Sequence, residues 1–250
     1  MAIANALAGC GDPADPEAAQ TGQALVSTGT EVTFAGCTEF AGIGFVPAAN
    51  ARPLVPAEYE LVGDGANAVI VVRVADCEEI SVAGRKPKAG TVSQVGISVA
   101  AVDPTADINN YTLWVGTNLG QLHGKLRSMG VPSEMDADLA YTFVPTGPGQ
   151  GALSIAASPP RGPHYSVTGT AQLPTTPAVP FVATWWAETG QGAVRMRTEL
   201  PQIRFGEASM TLTTTPGSCL AGLIGGASLT FGLLDSYNTF EAATLTIDVP

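Results

Sequence analysis

The stretch Val182-Ala183-Thr184-Trp185-Trp186-Ala187-Glu188 is rich in β-branched and aromatic residues, and so, in part, is Ala193-Val194-Arg195-Met196-Arg197-Thr198-Glu199. Gly190-Gln191-Gly192 stands between them. Two such arms around a glycine turn read as an antiparallel β-hairpin. In the second arm polar and apolar residues alternate with period two, as in a strand with one face buried and one wet. Arg195 and Arg197 therefore share a face. Trp185 and Trp186 fall on opposite faces, so one indole enters the core or a cavity and the other lies outside.

Working outward, the same texture recurs at Ile43–Val46, Ala68–Val74, Val92–Val99, Asn110–Val115, Tyr141–Val144, Ala152–Ala157 and Tyr165–Ala171. Glu207–Thr213, Ser228–Phe231 and Ala242–Val249 continue it. One segment departs from it. Leu119, Leu122, Leu126 and Met129 recur at helical spacing, with Asn118 available as N-cap and Gly130 as stop, so an amphipathic helix is expected over about 118–129. A shorter helix is expected after Pro216, ended by Gly225-Gly226. No repeat or linker divides the rest. The expectation is a mostly β fold: one antiparallel β-barrel or curved sheet over 36–250, one or two short helices, and a flexible N-terminal tail over 1–35.

Composition narrows the function classes. The chain has 250 residues, of which 45% are hydrophobic and only 13% charged, with 29 Gly and 19 Pro. That suits a large core, many turns and few long helices. The net charge of −11 disfavours nucleic acid as a partner. Gly, Pro, Asp or Thr interrupts every apolar run before it could form a membrane-spanning helix.

Leu7-Ala8-Gly9-Cys10 matches the pattern at which bacterial lipoprotein precursors are acylated on cysteine, although no basic segment precedes it. The alternative is an Ala/Gly-rich tail that happens to hold a cysteine. Under the first reading Cys10 carries lipid, the polar stretch that follows is a tether, and the domain is extracytoplasmic, secreted or lipid-anchored at the cell surface. Cys37, Cys77 and Cys219 are too far apart for a C-x-x-C motif, and no metal site is expected. In an exported chain two of them can pair. Cys37 with Cys77 is the preferred pair because each borders an expected strand, with buried thiols as the alternative.

Several stretches, in order, resemble the acetoacetate decarboxylase superfamily. They are Phe45-Val46-Pro47 with Leu54-Val55-Pro56 and Tyr59-Glu60-Leu61; Thr91 to Val99; Gly116-Thr117-Asn118 with Lys125-Leu126-Arg127 and Gly130-Val131-Pro132; and Pro216 to Ile224. The resemblance spans roughly 40–250 and implies that family's β fold. In the family, a lysine follows the Gly-x-Pro turn and forms a Schiff base with a β-keto acid, and a glutamate lies on the strand that resembles 91–99. Here Ser133-Glu134 follow the turn and Gln94 takes the glutamate's place. Imine formation needs an amine whose pKa is lowered by its surroundings, which neither Ser133 nor Glu134 can supply. Lys125, on the exposed face of a helix, and Lys86 and Lys88, in a polar loop, are weak substitutes.

Two histidines, His123 and His164, cannot build a multi-histidine metal centre. His123 is expected on a helix surface. His164 follows a Pro-rich loop and could act as a general base, against the plainer reading of a solvated loop residue. No G-x-S-x-G elbow supports hydrolase chemistry. Arg195 could hold a ligand carboxylate in a bidentate pair, or lie on a wet sheet face.

The leading expectation is an exported protein that binds a small apolar or carboxylate-bearing ligand in the barrel, without Schiff-base catalysis and without a cofactor. Gln94, Ser133, Glu134, Trp185 and Arg195 are the candidate contacts. The first alternative is a lysine-independent lyase or cyclase acting on a keto-acid or polyketide-like substrate in the same cavity, with Glu134 as acid or base and Ser133 and His164 as further catalytic candidates, marked by a buried Glu134 of raised pKa. The second is a surface structural or interaction protein with a collapsed cavity.

Overall fold

The run Ala68-Val69-Ile70-Val71-Val72-Arg73-Val74-Ala75 carries apolar residues on both faces, as in a strand buried on both sides. In the computed structural model, which describes residues 29–250, it lies in β2 (Asn67–Val82). Val71, Ala75 and Cys77 face one apolar cluster, and Ile70, Val72 and Val74 face another. These two clusters organise the molecule.

The first cluster fills a closed barrel. β1 (Thr30–Pro47), β2, β3 (Lys88–Ser98), β4 (Ile108–Thr117), β9 (Val179–Thr189), β10 (Gly192–Thr214) and β12 (Leu234–Asp248) pair in the order β12-β1-β2-β3-β4-β9-β10, and β10 closes the ring on β12. Closure leaves no free edge in the ring. The second cluster lies outside the barrel wall, under a second sheet formed by β6 (Ala140–Gly147), β7 (Gln150–Ala157), β8 (Tyr165–Gln172), the far half of β10, and β11 (Ser228–Thr230). Leu153, Ile155, Val167, Met210 and Leu212 bring this sheet down on Ile70, Val72 and Ile97.

β10 serves both layers. Its register shifts between Leu200 and Ile203, around Pro201, which has no N–H to give to a ladder. Sequence texture therefore reads it as two strands. Pairing is antiparallel except at two places, which corrects the expectation of antiparallel strands throughout. β4 runs parallel to β9 and to β5 (Ser133–Met135). β5 to β8 lie between β4 and β9 in the chain, so the chain re-enters the barrel in the same direction it left.

Thr30–Ala35, which composition places in the tail, form the start of β1, with Val32 and Phe34 buried. Cys10 and the tether lie outside the described residues. Three short α-helices occur among the described residues: α1 (Ala48–Ala51), α2 (Gly120–Ser128) and α3 (Cys219–Ile224). None is long and apolar enough to cross a membrane. α2 starts later than expected, because the Asn118 side chain accepts from the Thr91 N–H of β3 and does not cap the helix. Gly130, at φ 78°, ends it in the left-handed region, as expected. α3 is capped by the Ser218 hydroxyl and ended by left-handed Gly225.

Candidate functional site

The inner wall carries polar residues among apolar ones. Arg73 lies between Val71 and Ala75 on the inner face of β2. Its Nε donates to Glu39 on β1, and its Nη1 donates to Gln94 Oε1 on β3 at 3.0 Å. Asn238 on β12 donates to the other Glu39 oxygen at 3.3 Å. Strand register produces this chain directly, since Arg73 is opposite Gln94 and Glu39 is opposite Asn238. Side-chain exposure is 14% for Arg73 and 7% for Glu39, so the pair is a buried ion pair.

Around this pair the barrel is nearly full. Phe34, Val92, Leu122, Leu126, Met196 and Leu245 surround Arg73 and Gln94 and leave a cavity of about 20 Å³. That space holds about one water molecule. Trp185 occupies the inner face of β9, 1% exposed. Its ring passes so near Gly96 that a Cβ there would lie 2.7 Å from Cζ3 and 2.4 Å from the Tyr111 carbonyl oxygen. Glycine at 96 is thus what lets the indole fill the barrel. Among the described residues, Trp185 Nε1, Asn110 Nδ2, Thr112 Oγ1 and Asn238 Oδ1 of the inner wall are buried without a hydrogen-bond partner.

The structure brings two of the candidate contacts, Gln94 and Trp185, to the inner wall. Ser133 pairs with Val115 and takes the same side of β5. It is buried, with Oγ 3.4 Å from His123 Nδ1. His123 is therefore half-buried against Ser133 and not a plain surface residue. Burial, then the nearby Arg127, lowers its pKa, with Glu134 opposing, so the ring is neutral at neutral pH. Glu134 pairs with Gly116 on the other face and is half-exposed. Arg195 lies outside the barrel, where Asp248 takes its guanidinium in a bidentate pair at 3.0 and 2.7 Å. His164 is an exposed loop residue whose Nε2 lies 2.9 Å from the Pro159 carbonyl. Lys86 and Lys88 are exposed and Lys125 is half-exposed on α2. Sequence reasoning missed Arg73 and Glu39, although a lone cation inside an apolar strand was the available signal.

Cys37 and Cys77, the preferred pair, stand opposite each other on β1 and β2 and form a disulfide, with Cα atoms 4.1 Å apart. Among the described residues no group of three or more His, Cys, Asp or Glu is placed to hold a metal ion.

On the outer wall Asp103 fixes the loop before β4. Its carboxylate accepts from the Thr105 N–H and hydroxyl, from Thr184 and from Arg197. Burial acts to raise the Asp103 pKa, but these hydrogen bonds outweigh it and bring the pKa from 3.8 to about 2. A carboxylate with a depressed folded-state pKa adds stability above its unfolded pKa and loses it as pH falls through the folded value. Wild type should therefore lose this contribution between pH 3.8 and about 2. Urea midpoints against pH should fall less steeply in that window for Asp103→Asn, and parallel curves would refute the assignment.

No family model matches this chain, and no curated protein is similar to it in sequence. Solved structures are similar in fold. An acetoacetate decarboxylase from Legionella pneumophila subsp. pneumophila str. Philadelphia 1 superposes with a TM-score of 0.54 at 13% identity, over 98% of this chain and 95% of that one. An acetoacetate decarboxylase-like enzyme from Sphingomonas wittichii RW1 gives 0.54 at 11%, over 89% and 92%. The enduracididine biosynthesis enzyme MppR, with HEPES bound, gives 0.53 at 12%, over 90% and 87%. The chain has the acetoacetate-decarboxylase-like fold.

Proposed function

We propose that this chain is an extracytoplasmic domain that uses the acetoacetate-decarboxylase-like scaffold without Schiff-base catalysis, as a surface structural or interaction protein with a closed barrel. The filled interior carries the reading. A cavity of about 20 Å³ is far below the roughly 300 Å³ of a small-molecule pocket. The inner cation, Arg73, is already held by Glu39 and Gln94. The three lysines of the chain, Lys86, Lys88 and Lys125, are exposed or half-exposed and none lies on the inner wall beside Arg73. The Cys37–Cys77 disulfide supports an oxidising compartment.

Binding of a small apolar or carboxylate-bearing molecule inside the barrel is the second reading. The unpartnered Trp185 Nε1, Asn110 Nδ2, Thr112 Oγ1 and Asn238 Oδ1 favour it, since buried polar atoms ordinarily have partners. The lyase reading has less support, because Glu134 is half-exposed on the face opposite Ser133.

Thermal unfolding with graded acetoacetate, pyruvate and short fatty acids separates the first two. The closed barrel predicts a flat Tm. A ligand at a hundred times its Kd would raise Tm by about 5–10 °C and contradict it.

A further inference from the structure

β6 (Ala140–Gly147) is the outermost strand of the second sheet. It pairs with β7 on one side, and no described strand lies on the other. β5 and β11 also have a single partner strand, but each is three residues long, and the barrel is closed. β6 is thus the one long open edge among the described residues. Alternate residues of such a strand point their N–H and C=O away from its single partner. What satisfies both groups in register is another extended chain.

Natural edges are blunted by charges, by proline or by a bulge. β6 has no charged residue, in a chain whose net charge is −11. Pro145 and the register shift between Pro145 and Gly147 blunt only its far end, and Ala140 to Val144 pair with β7 in unbroken register. Tyr141 and Phe143 face inward onto the cluster between the two layers, Phe143 stacking on Tyr237 at 5.1 Å. Both remain half-exposed at the open edge, and Ala140, Thr142 and Val144 are exposed on the outer face.

We infer that β6 is a dimerisation edge, pairing antiparallel with β6 of a second copy of this chain about a two-fold axis at Thr142. The register is self-complementary, as an isologous contact requires. On the inner face Tyr141 of each copy lies opposite Phe143 of the other. On the outer face Ala140 lies opposite Val144, and Thr142 opposite its own counterpart. Aromatic and Thr–Thr cross-strand pairs stabilise a sheet, and the like charges that would oppose an acidic chain pairing with itself are absent from this strand. A shift of one residue would set Tyr141 opposite Thr142 and turn the second copy's aromatic face to water. A shift of two towards the end of the strand would bring Pro145, which has no N–H, into the ladder. The second sheets of the two copies join into one, and each copy covers the half-exposed aromatics of the other. This goes beyond the function proposed above and does not depend on a closed barrel, so association and ligand titration can fail separately.

Cysteine trapping on the full chain tests it. Directly opposed Cα atoms of an antiparallel pair lie about 4.5–5.5 Å apart, within reach of a disulfide. Thr142→Cys should therefore give a covalent dimer under mild oxidation, above the wild-type background and reversed by reductant. Ser154→Cys, beside it on β7 and on the same exposed face, should not, because three strand spacings of about 14 Å in all separate the two copies of that position. No covalent dimer from Thr142→Cys, or equal crosslinking through Ser154→Cys as face-to-face packing would give, overturns the inference. Sedimentation velocity reads the contact without an added thiol. Wild type should dimerise as its concentration rises. Thr142→Lys/Val144→Lys, which sets like charges along the axis, should weaken the dimer about ten-fold or more while keeping the wild-type circular dichroism. A wild type that stays monomeric, or a double variant that associates as well as wild type, overturns the inference too.

Discussion

Arg73→Ala should lower unfolding stability by about 3–5 kcal/mol, the cost of removing one partner from a buried ion pair. The variant leaves the buried Glu39 side chain, 7% exposed, with the Asn238 amide at 3.3 Å as its remaining partner among the described residues. It also strips Gln94 Oε1 of its donor. Most of the penalty comes from the stranded charge and not from the lost attraction, so Arg73→Met combined with Glu39→Gln should recover most of it. Urea unfolding of wild type, single and double variants gives the comparison. A single-variant loss under about 1 kcal/mol would mean that water reaches Glu39 and that the barrel is not closed.

Cys37→Ala/Cys77→Ala should cost about 2–4 kcal/mol, from the freedom restored to the unfolded chain by opening a loop of sequence separation 40. Both cysteines are buried at 3% exposure, so the small cavities left behind add to the loss. The native pairing of β1 with β2 continues on both sides, from Val32↔Val82 to Pro47↔Asn67, so the variant should still fold. Its urea midpoint should fall in non-reducing buffer and should no longer respond to added reductant through this bond. An unchanged midpoint would show that the ladder alone fixes the register.

How much of this was legible depended on whether one residue could betray its surroundings. The Val182–Glu199 hairpin was readable because alternation and a glycine turn are local signals. The helix after Asn118 and the helix after Pro216 were readable for the same reason, down to their glycine stops. Ring closure was not, because the opening of β1 and the first half of β12 are rich in Thr, Ser, Asn and Gly, and their strand state comes from neighbours distant in sequence. The parallel β4–β9 contact was hidden for a similar reason: β5 to β8 lie between the two strands in the chain.

The site was half legible. Gln94 and Trp185 face the interior because resemblance placed the first and strand alternation placed the second on one face or the other. Alternation also put Arg195 and Arg197 on one face, but it could not tell the outer face from the inner one; both are held outside by carboxylates from elsewhere, Asp248 and Asp103. Arg73 escaped notice because an apolar run was read as a strand without asking what a single guanidinium inside it must pair with. Glu39 was hidden further, in a part of β1 where Gly and Thr conceal the strand.

The proposed function requires that no amine of this chain performs imine chemistry. Full-length protein incubated with acetoacetate and related keto acids under borohydride, beside an acetoacetate decarboxylase as control, tests it by intact mass. A reduced adduct is expected on the control and none on this chain. An adduct mapping to Lys125, Lys86 or Lys88 would contradict it and place a Schiff-base enzyme on this scaffold.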